Sequence, residues 1–248
     1  EAVARSVAAG AYRLRIDAED TLAWSVSELQ AADFYLEAAT IHVGGPLNNE
    51  FGVIFRYQDD DNFYSYSVSS DGYYRLDRKL EGEWLSLVSW TESSAINTGA
   101  ASFNLLGVLA EGDRLALFVN ETPLTAIVDD TFAEGGIGPT AGSYDEGGVE
   151  IAYDDLSLWR IDEENRVAGQ GLTLDTPPAT TPTFDPVTVD PERIDAARAA
   201  EPIFSDRFRR DEGVWLTGAF DDMTATVRSG GLHLAVTASQ LVGWSSAD

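Results

Sequence analysis

The feature that most constrains this chain is a period of two. In Phe51-Gly-Val-Ile-Phe-Arg-Tyr57, residues Phe51, Val53, Phe55 and Tyr57 fall on one side of an extended strand. After the turn Asp59-Asp60-Asp61-Asn62, Tyr64, Tyr66 and Val68 repeat the pattern. Gly72 to Leu76, Trp84 to Trp90, Asn104 to Leu109, Arg114 to Val119, Leu124 to Val128 and Glu150 to Trp159 are further short runs of β-branched, aromatic and aliphatic residues. About ten such runs between Tyr12 and Ile161, punctuated by Gly, Asn and Asp, predict an all-β chain folded as a two-sheet antiparallel jelly-roll sandwich.

Composition supports a core and excludes several functions. Of 248 residues 44% are hydrophobic and 10% aromatic, enough to fill a sandwich. The 42 Asp+Glu against 16 Lys+Arg give a net charge of -26, which opposes nucleic acid and anionic membrane surfaces. No run approaches the roughly 20 apolar residues of a membrane span, so no membrane insertion is expected. Without Cys there is no disulfide framework or thiolate, and only His42 and His233 supply imidazoles. Metal chemistry is therefore expected to be oxygen-ligand chemistry, with Ca²⁺ the candidate ion and Asp59, Asp61 and Asp154 the candidate ligands. The chain begins at Glu1 rather than Met and reads as a processed product or an excised fragment.

Texture divides the chain into a sandwich over 1–162, a Thr/Pro-rich extended linker over 163–202 with a short helix expected at Glu192 to Ala200, and a further piece over 203–248. That last piece carries an internal repeat. Val7, Gly10, Leu14, Ala18, Trp24 and Ser25 recur as Val227, Gly230, Leu234, Ala238, Trp244 and Ser245, at a constant spacing of 220. The second copy opens with Ile203-Phe-Ser-Asp-Arg-Phe208 and Trp215, residues without a counterpart ahead of the first. Phe204, Phe208 and Trp215 are therefore candidate assembly residues. Their segment either folds back onto its own sandwich or enters a neighbouring copy, completing an open sheet edge.

Phe51 to Tyr64, Ser70 to Leu76, Gly82-Glu-Trp84, Ile96 to Gly99, Ala110 to Asn120, Gly135 to Gly138 and Tyr153-Asp-Asp-Leu156 resemble the bacterial extracellular jelly-roll domains of the concanavalin A-like, laminin-G-like group, near the 3-keto-disaccharide hydrolase-like branch. Phe204-Ser-Asp-Arg-Phe208 is similar to the opening strand of that family. The resemblance implies a concanavalin A-like fold and an extracellular or cell-surface location. At Val119-Asn-Glu-Thr-Pro123 the chain departs from the usual tight Asn-Gly turn, so a longer hairpin is expected.

Catalysis finds little support. Glu111 and Asp113 lack a following acid and read as a turn, and neither His has a sequence partner for a triad. Carbohydrate binding needs aromatic platforms beside hydrogen-bonding side chains, and Arg56, Tyr66, Arg75 and Trp84 are the candidate ligand-binding residues. Tyr64, Tyr74 and Trp90 supply the same chemistry, while for Trp24, Trp84 and Trp90 a place in the core is the competing expectation. Arg56, between Phe55 and Tyr57, is expected to point away from the apolar face, into a groove or a salt bridge. Asn120-Glu-Thr122 matches the N-glycosylation acceptor pattern, with Asn120 the acceptor. The chain is thus expected to be a non-catalytic extracellular module whose partner is a polysaccharide or other glycan, or neighbouring copies of itself in a filament or tandem array.

Overall fold

A computed structural model describes residues 2–8, 11–27, 29–161 and 191–206, with strand segments at 219–220, 223–228, 231–236 and 246–247. The chain starts with the hairpin β1 (Val3–Ala8) and β2 (Ala11–Ile16), then β3 (Thr21–Trp24) and the short β4 (Val26–Ser27). The long strands β5 (Phe34–Gly44) and β6 (Asn49–Asp59) lead into a meander of β7 (Asn62–Val68), β8 (Tyr73–Leu80) and β9 (Glu83–Glu92). A second meander follows, β10 (Phe103–Glu111), β11 (Arg114–Val119) and β12 (Thr122–Val128), and then β13 (Gly136–Ser143) and β14 (Val149–Arg160). Beyond 162–190 come the helix α1 (Pro191–Ala199) and the strand β15 (Phe204–Asp206). The remaining strands are β16 (Ala219–Phe220), β17 (Met223–Arg228), β18 (Gly231–Val236) and β19 (Ser246–Ala247).

Two antiparallel sheets form the sandwich. One runs β1-β2-β14-β5-β10-β11-β12, with β15 also paired to β14, and the other runs β3-β13-β6-β7-β8-β9. The alternation read in the sequence sets the faces. Phe51, Val53 and Phe55 of β6 and Tyr64, Tyr66 and Val68 of β7 meet Phe34, Leu36, Leu106, Val108, Leu117, Ile151 and Leu158 from the other sheet in one buried core. The intervening Ile54 and Phe63 face outward, where they cluster with Trp24 and Val26.

In β6 the alternation breaks at Arg56. Its backbone takes φ 48°, and the register between β6 and β7 shifts between Phe55 and Asp59. Tyr57 is thereby turned from the core side to the outer cluster, 5.7 Å from Phe63. The Arg56 guanidinium, fully buried, donates to Phe132 O at 2.8 Å and Ala32 O at 2.9 Å. It thereby fastens the loops at Ala32 and Phe132, and among the described residues no carboxylate forms an ion pair with it. A second departure is at Asn120 and Glu121, which make a two-residue turn, Val119 pairing directly with Thr122. Both residues have positive φ, 49° and 65°, as a type I′ hairpin turn requires, so the hairpin is tight rather than long.

The core is crossed by tyrosines whose hydroxyls bond backbone on the far side. Tyr66 donates to Phe118 O at 2.8 Å. Tyr153 of β14 reaches the other sheet, where its hydroxyl lies 2.5 Å from Thr140 O and 2.9 Å from Gly52 O and accepts from Gly52 N at 3.1 Å. Residue 52 must be glycine, because a Cβ there would stand 1.9 Å from Tyr66 O.

The hairpins β17–β18 and β1–β2 occupy spans 220 positions apart, with the same pairing: Met223 opposite Val236 as Val3 is opposite Ile16, and Val227 opposite Leu232 as Val7 is opposite Tyr12. Phe204 lies within β15, while Phe208 and Trp215 lie outside the described residues. The expected helix is present as α1, and 162–190 is likewise outside the described residues.

Replacing Tyr153 by Phe keeps the ring in the core but strips three buried backbone groups of their shared partner. The Tyr153→Phe variant is expected to lose about 1–3 kcal/mol in urea unfolding, with an unchanged far-ultraviolet circular dichroism spectrum.

Candidate functional site

The outer face of the six-stranded sheet carries a nearly buried ionic cluster, and strand register explains it. Arg75 and Asp77 are two apart on β8 and share a face; Ser67 and Ser65 of β7 stand directly opposite them, and Ser86 of β9 stands opposite Asp77. The serines of Phe63-Tyr-Ser-Tyr-Ser-Val68 are the polar half of the alternation whose apolar half fills the core. Glu50, one residue before Phe51 on β6, turns to this same outer face.

Arg75 organises the cluster. Its Nη2 lies 2.6 Å from Glu50 Oε2 and its Nε 2.7 Å from Asp77 Oδ2. The guanidinium carbon is 4.9 Å from the centre of the Trp90 ring, within cation–π range. Glu50 and Asp77 are each only 5% exposed, and Ser67 is fully buried with its hydroxyl unpaired. Burial pushes the Glu50 carboxyl up, an effect that Arg75 opposes without cancelling, and burial raises Asp77 in the same way. For Arg75 burial works against the cation, but Glu50 and Asp77 outweigh it and the net shift is upward. The Tyr144 phenol is raised by burial and then by Glu50 beside it.

A second cluster on this face is aromatic. Phe63 lies 5.3 Å from Trp24 and 5.5 Å from Trp84, the latter edge-on. Lys79 Nζ sits 5.8 Å from Trp84 and 5.9 Å from both Trp24 and Phe63, tethered to Asp60 O at 2.7 Å and Asp61 at 3.2 Å. Trp24 is buried, whereas Trp84 is 45% exposed.

Of the ligand-binding residues expected from sequence, Arg75 and Trp84 thus lie on this face. Arg56 and Tyr66 lie inside the sandwich, both fully buried. Sequence reasoning overlooked Glu50, Asp77 and Ser67, and the available signal was their odd-even phase against Phe51, Arg75 and Tyr66.

Of the carboxylates expected to hold Ca²⁺, Asp59 and Asp61 share one turn and Asp154 lies on the other sheet. Asp59 Oδ1 closes its own turn by accepting from Asp61 N and Asn62 Nδ2, Asp61 pairs with Lys79, and Asp154 is an exposed residue of the other sheet. Among the described residues no three His, Cys, Asp or Glu side chains converge on a point that could hold a metal ion. Asn120, the expected glycosylation acceptor, uses its amide internally. Nδ2 donates to Ala95 O and Asn104 Oδ1, and Oδ1 accepts from Leu105 N. A glycan on Nδ2 would replace one of those donors. His42 is buried in β5, its Nδ1 3.4 Å from Gly99 O.

No protein-family model matches the chain. A curated relative, a TPR repeat-containing protein of Treponema pallidum (strain Nichols), is 32% identical over 85 residues, 34% of this chain and 10% of that protein. The chain therefore spans about a tenth of that relative's length. Among solved structures, the carbohydrate-binding module CBM66 from Bacillus subtilis superposes with a TM-score of 0.53 at 15% identity, over 62% of this chain and 89% of the module. A protein of unknown function with a galectin-like fold, also from Bacillus subtilis, gives a TM-score of 0.48 at 9% identity, over 63% and 86%. The likeness to CBM66 shows a shared jelly-roll β-sandwich fold.

Because burial raises Glu50, the fold favours its protonated form. The unfolded chain releases this proton near 4.5 and the folded chain only higher, so stability falls as pH rises from about 4.5 through the raised value. Asp77 adds the same sign from its ordinary 3.8 upward. Urea unfolding across this range is expected to show a shallower decline for Glu50→Gln than for the wild type.

Proposed function

We propose that this chain is a non-catalytic, extracellular or cell-surface carbohydrate-binding module that takes a neutral glycan on the outer face of its six-stranded sheet, at Arg75. The observation that carries the reading is Arg75, fixed by Glu50 and Asp77 and stacked on the Trp90 ring, beside a buried Ser67 hydroxyl with no partner. A sugar ring presents apolar C–H patches edged by vicinal hydroxyls. Trp90 offers a face for the former and Arg75, held in place by the two carboxylates, offers donors for the latter. Preorganisation matters because each charged group is already held by its neighbour and loses little freedom when a ligand arrives.

Charge selects the glycan class. Two carboxylates face one guanidinium, on a chain with a net charge of -26, so uronate and sulfated polysaccharides are repelled and neutral ones are not. The carbohydrate-binding module of similar fold supports the reading by analogy of fold alone. Trp84 and Lys79 on the same face would extend the contact to a further sugar unit.

The test is binding of the purified chain to panels of neutral and uronate polysaccharides by affinity electrophoresis and calorimetry. Arg75→Ala and Trp90→Ala are each expected to weaken binding at least tenfold, about 1.4 kcal/mol, with Asp154→Asn on the other sheet as the unaffected control. Retention on no neutral polysaccharide, or Arg75→Ala binding as well as the wild type, would overturn the proposal.

A further inference from the structure

One edge of β14 is filled by β5 along its length, while the opposite edge is shared. β2 pairs with Val149 to Tyr153 and β15 pairs with Leu156 to Leu158. Both run antiparallel to β14, so β15 leads toward the start of β2, although nearly the whole sandwich separates them in sequence. Two strands remote in sequence thus complete one ladder.

The remote strand arrives as part of a docking unit. Ile194 and Ala197 of α1 are buried against Tyr35, Leu109, Ala116, Phe118, Trp159 and Ile161 on the outer face of the eight-stranded sheet. Trp159 Nε1 donates to Ala200 O at 3.1 Å, and Ile203 N donates to Leu158 O at 2.9 Å. Arg198 is paired with Glu37 and, at 3.1 Å, with Glu121. Phe204 packs against the main core, and the hydroxyls of Ser157 and Ser205 lie 3.1 Å apart. Every one of these attachments is non-covalent. The connecting stretch 162–190 spans roughly 100 Å when fully extended, well beyond the width of a sandwich.

The repeat supplies an independent observation. The β17–β18 hairpin has the spans and register of β1–β2 moved by 220 positions. β15 stands ahead of that second hairpin in the chain, yet it pairs beside the first. It is thus a strand that in sequence leads into one hairpin and in space sits on the β14 edge beside the other.

We propose that the β14 edge at Leu156 to Leu158 is a strand-acceptor site and that α1 with Phe204 to Asp206 is an exchangeable donor, so that a second copy of this chain fills the site in trans and links copies head to tail. The sheet edge gains the same hydrogen bonds whichever copy provides the strand, and the balance between closed and exchanged forms is set by the connecting stretch and the protein concentration. The inference stands apart from the glycan reading, since it uses the other sheet.

The absence of Cys makes the test clean. Ser157 and Ser205 are direct cross-strand partners, so cysteines at both positions are placed for a disulfide. Full-length Ser157→Cys and full-length isotope-labelled Ser205→Cys are mixed at high concentration, with and without co-refolding from urea, and oxidised. The expected result is a covalent dimer in which mass spectrometry finds the introduced thiol of the unlabelled chain joined to that of the labelled chain, in a yield that rises with concentration. The double variant Ser157→Cys/Ser205→Cys reports on pairing itself. A double variant that closes within monomers while the mixture gives no such dimer would overturn exchange, and failure of the disulfide in both would overturn the strand pairing and the proposal with it.

Discussion

The sandwich depends on buried phenols finding backbone partners on the sheet opposite their own. A tyrosine hydroxyl left unpaired inside an apolar core costs about 1–3 kcal/mol, comparable to what burial of its ring contributes, so such a residue is tolerated only where a partner is in reach. Tyr153 meets that condition by lying between Gly52 and Thr140, and Tyr66 by reaching Phe118 O. These bonds fix the separation of the sheets and their relative slide. They also decide the faces: once Tyr64, Tyr66 and Val68 point inward, Phe63, Ser65 and Ser67 must point outward.

The same phase rule places charge on the outer face of the six-stranded sheet. Glu50 and Asp77 are nearly buried there, and a carboxylate so placed is stable only with a partner. Arg75 serves both, and Trp90 flanks it. The opposite outer face is treated differently: α1 covers its aromatic residues. One sheet therefore carries a buried ionic cluster beside an aromatic one that leaves Trp84 half exposed, and the other carries aromatic residues beneath α1.

Much of this was legible in the sequence. Alternation gave the strands, the sandwich and the core positions of Phe51, Val53 and Phe55, and the residues around Glu192 to Ala200 announced the helix. What it missed has local causes. Arg56 and Tyr57 exchange sides because one residue takes a left-handed backbone conformation, which periodicity cannot register. The Asn120-Glu121 turn is tight although Glu is a poor residue for positive φ, since the Asn120 amide bonds hold the turn. Arg75 could be singled out by its type, but its partners could not. Glu50 precedes Arg75 by 25 positions, and their contact exists only through the order of β6, β7 and β8. The docking of α1 was equally hidden, because only Ile194 and Ala197 carry it and the partners they meet come from four other strands.

Glu121 links two of these features. A non-glycine residue at φ 65° costs on the order of 1 kcal/mol, and glycine would relieve it. Yet the Glu121 carboxylate is the outer handhold of Arg198 on α1, an exposed pair worth at most about 1 kcal/mol. The two amounts nearly balance, so the turn gives up local comfort for a grip on the helix. Among related sandwiches, an Asn-Gly pair at this hairpin would then mark units whose helix is held by less, and an Asn-Glu pair units that keep theirs docked, a two-letter index written in the amino-acid sequence itself.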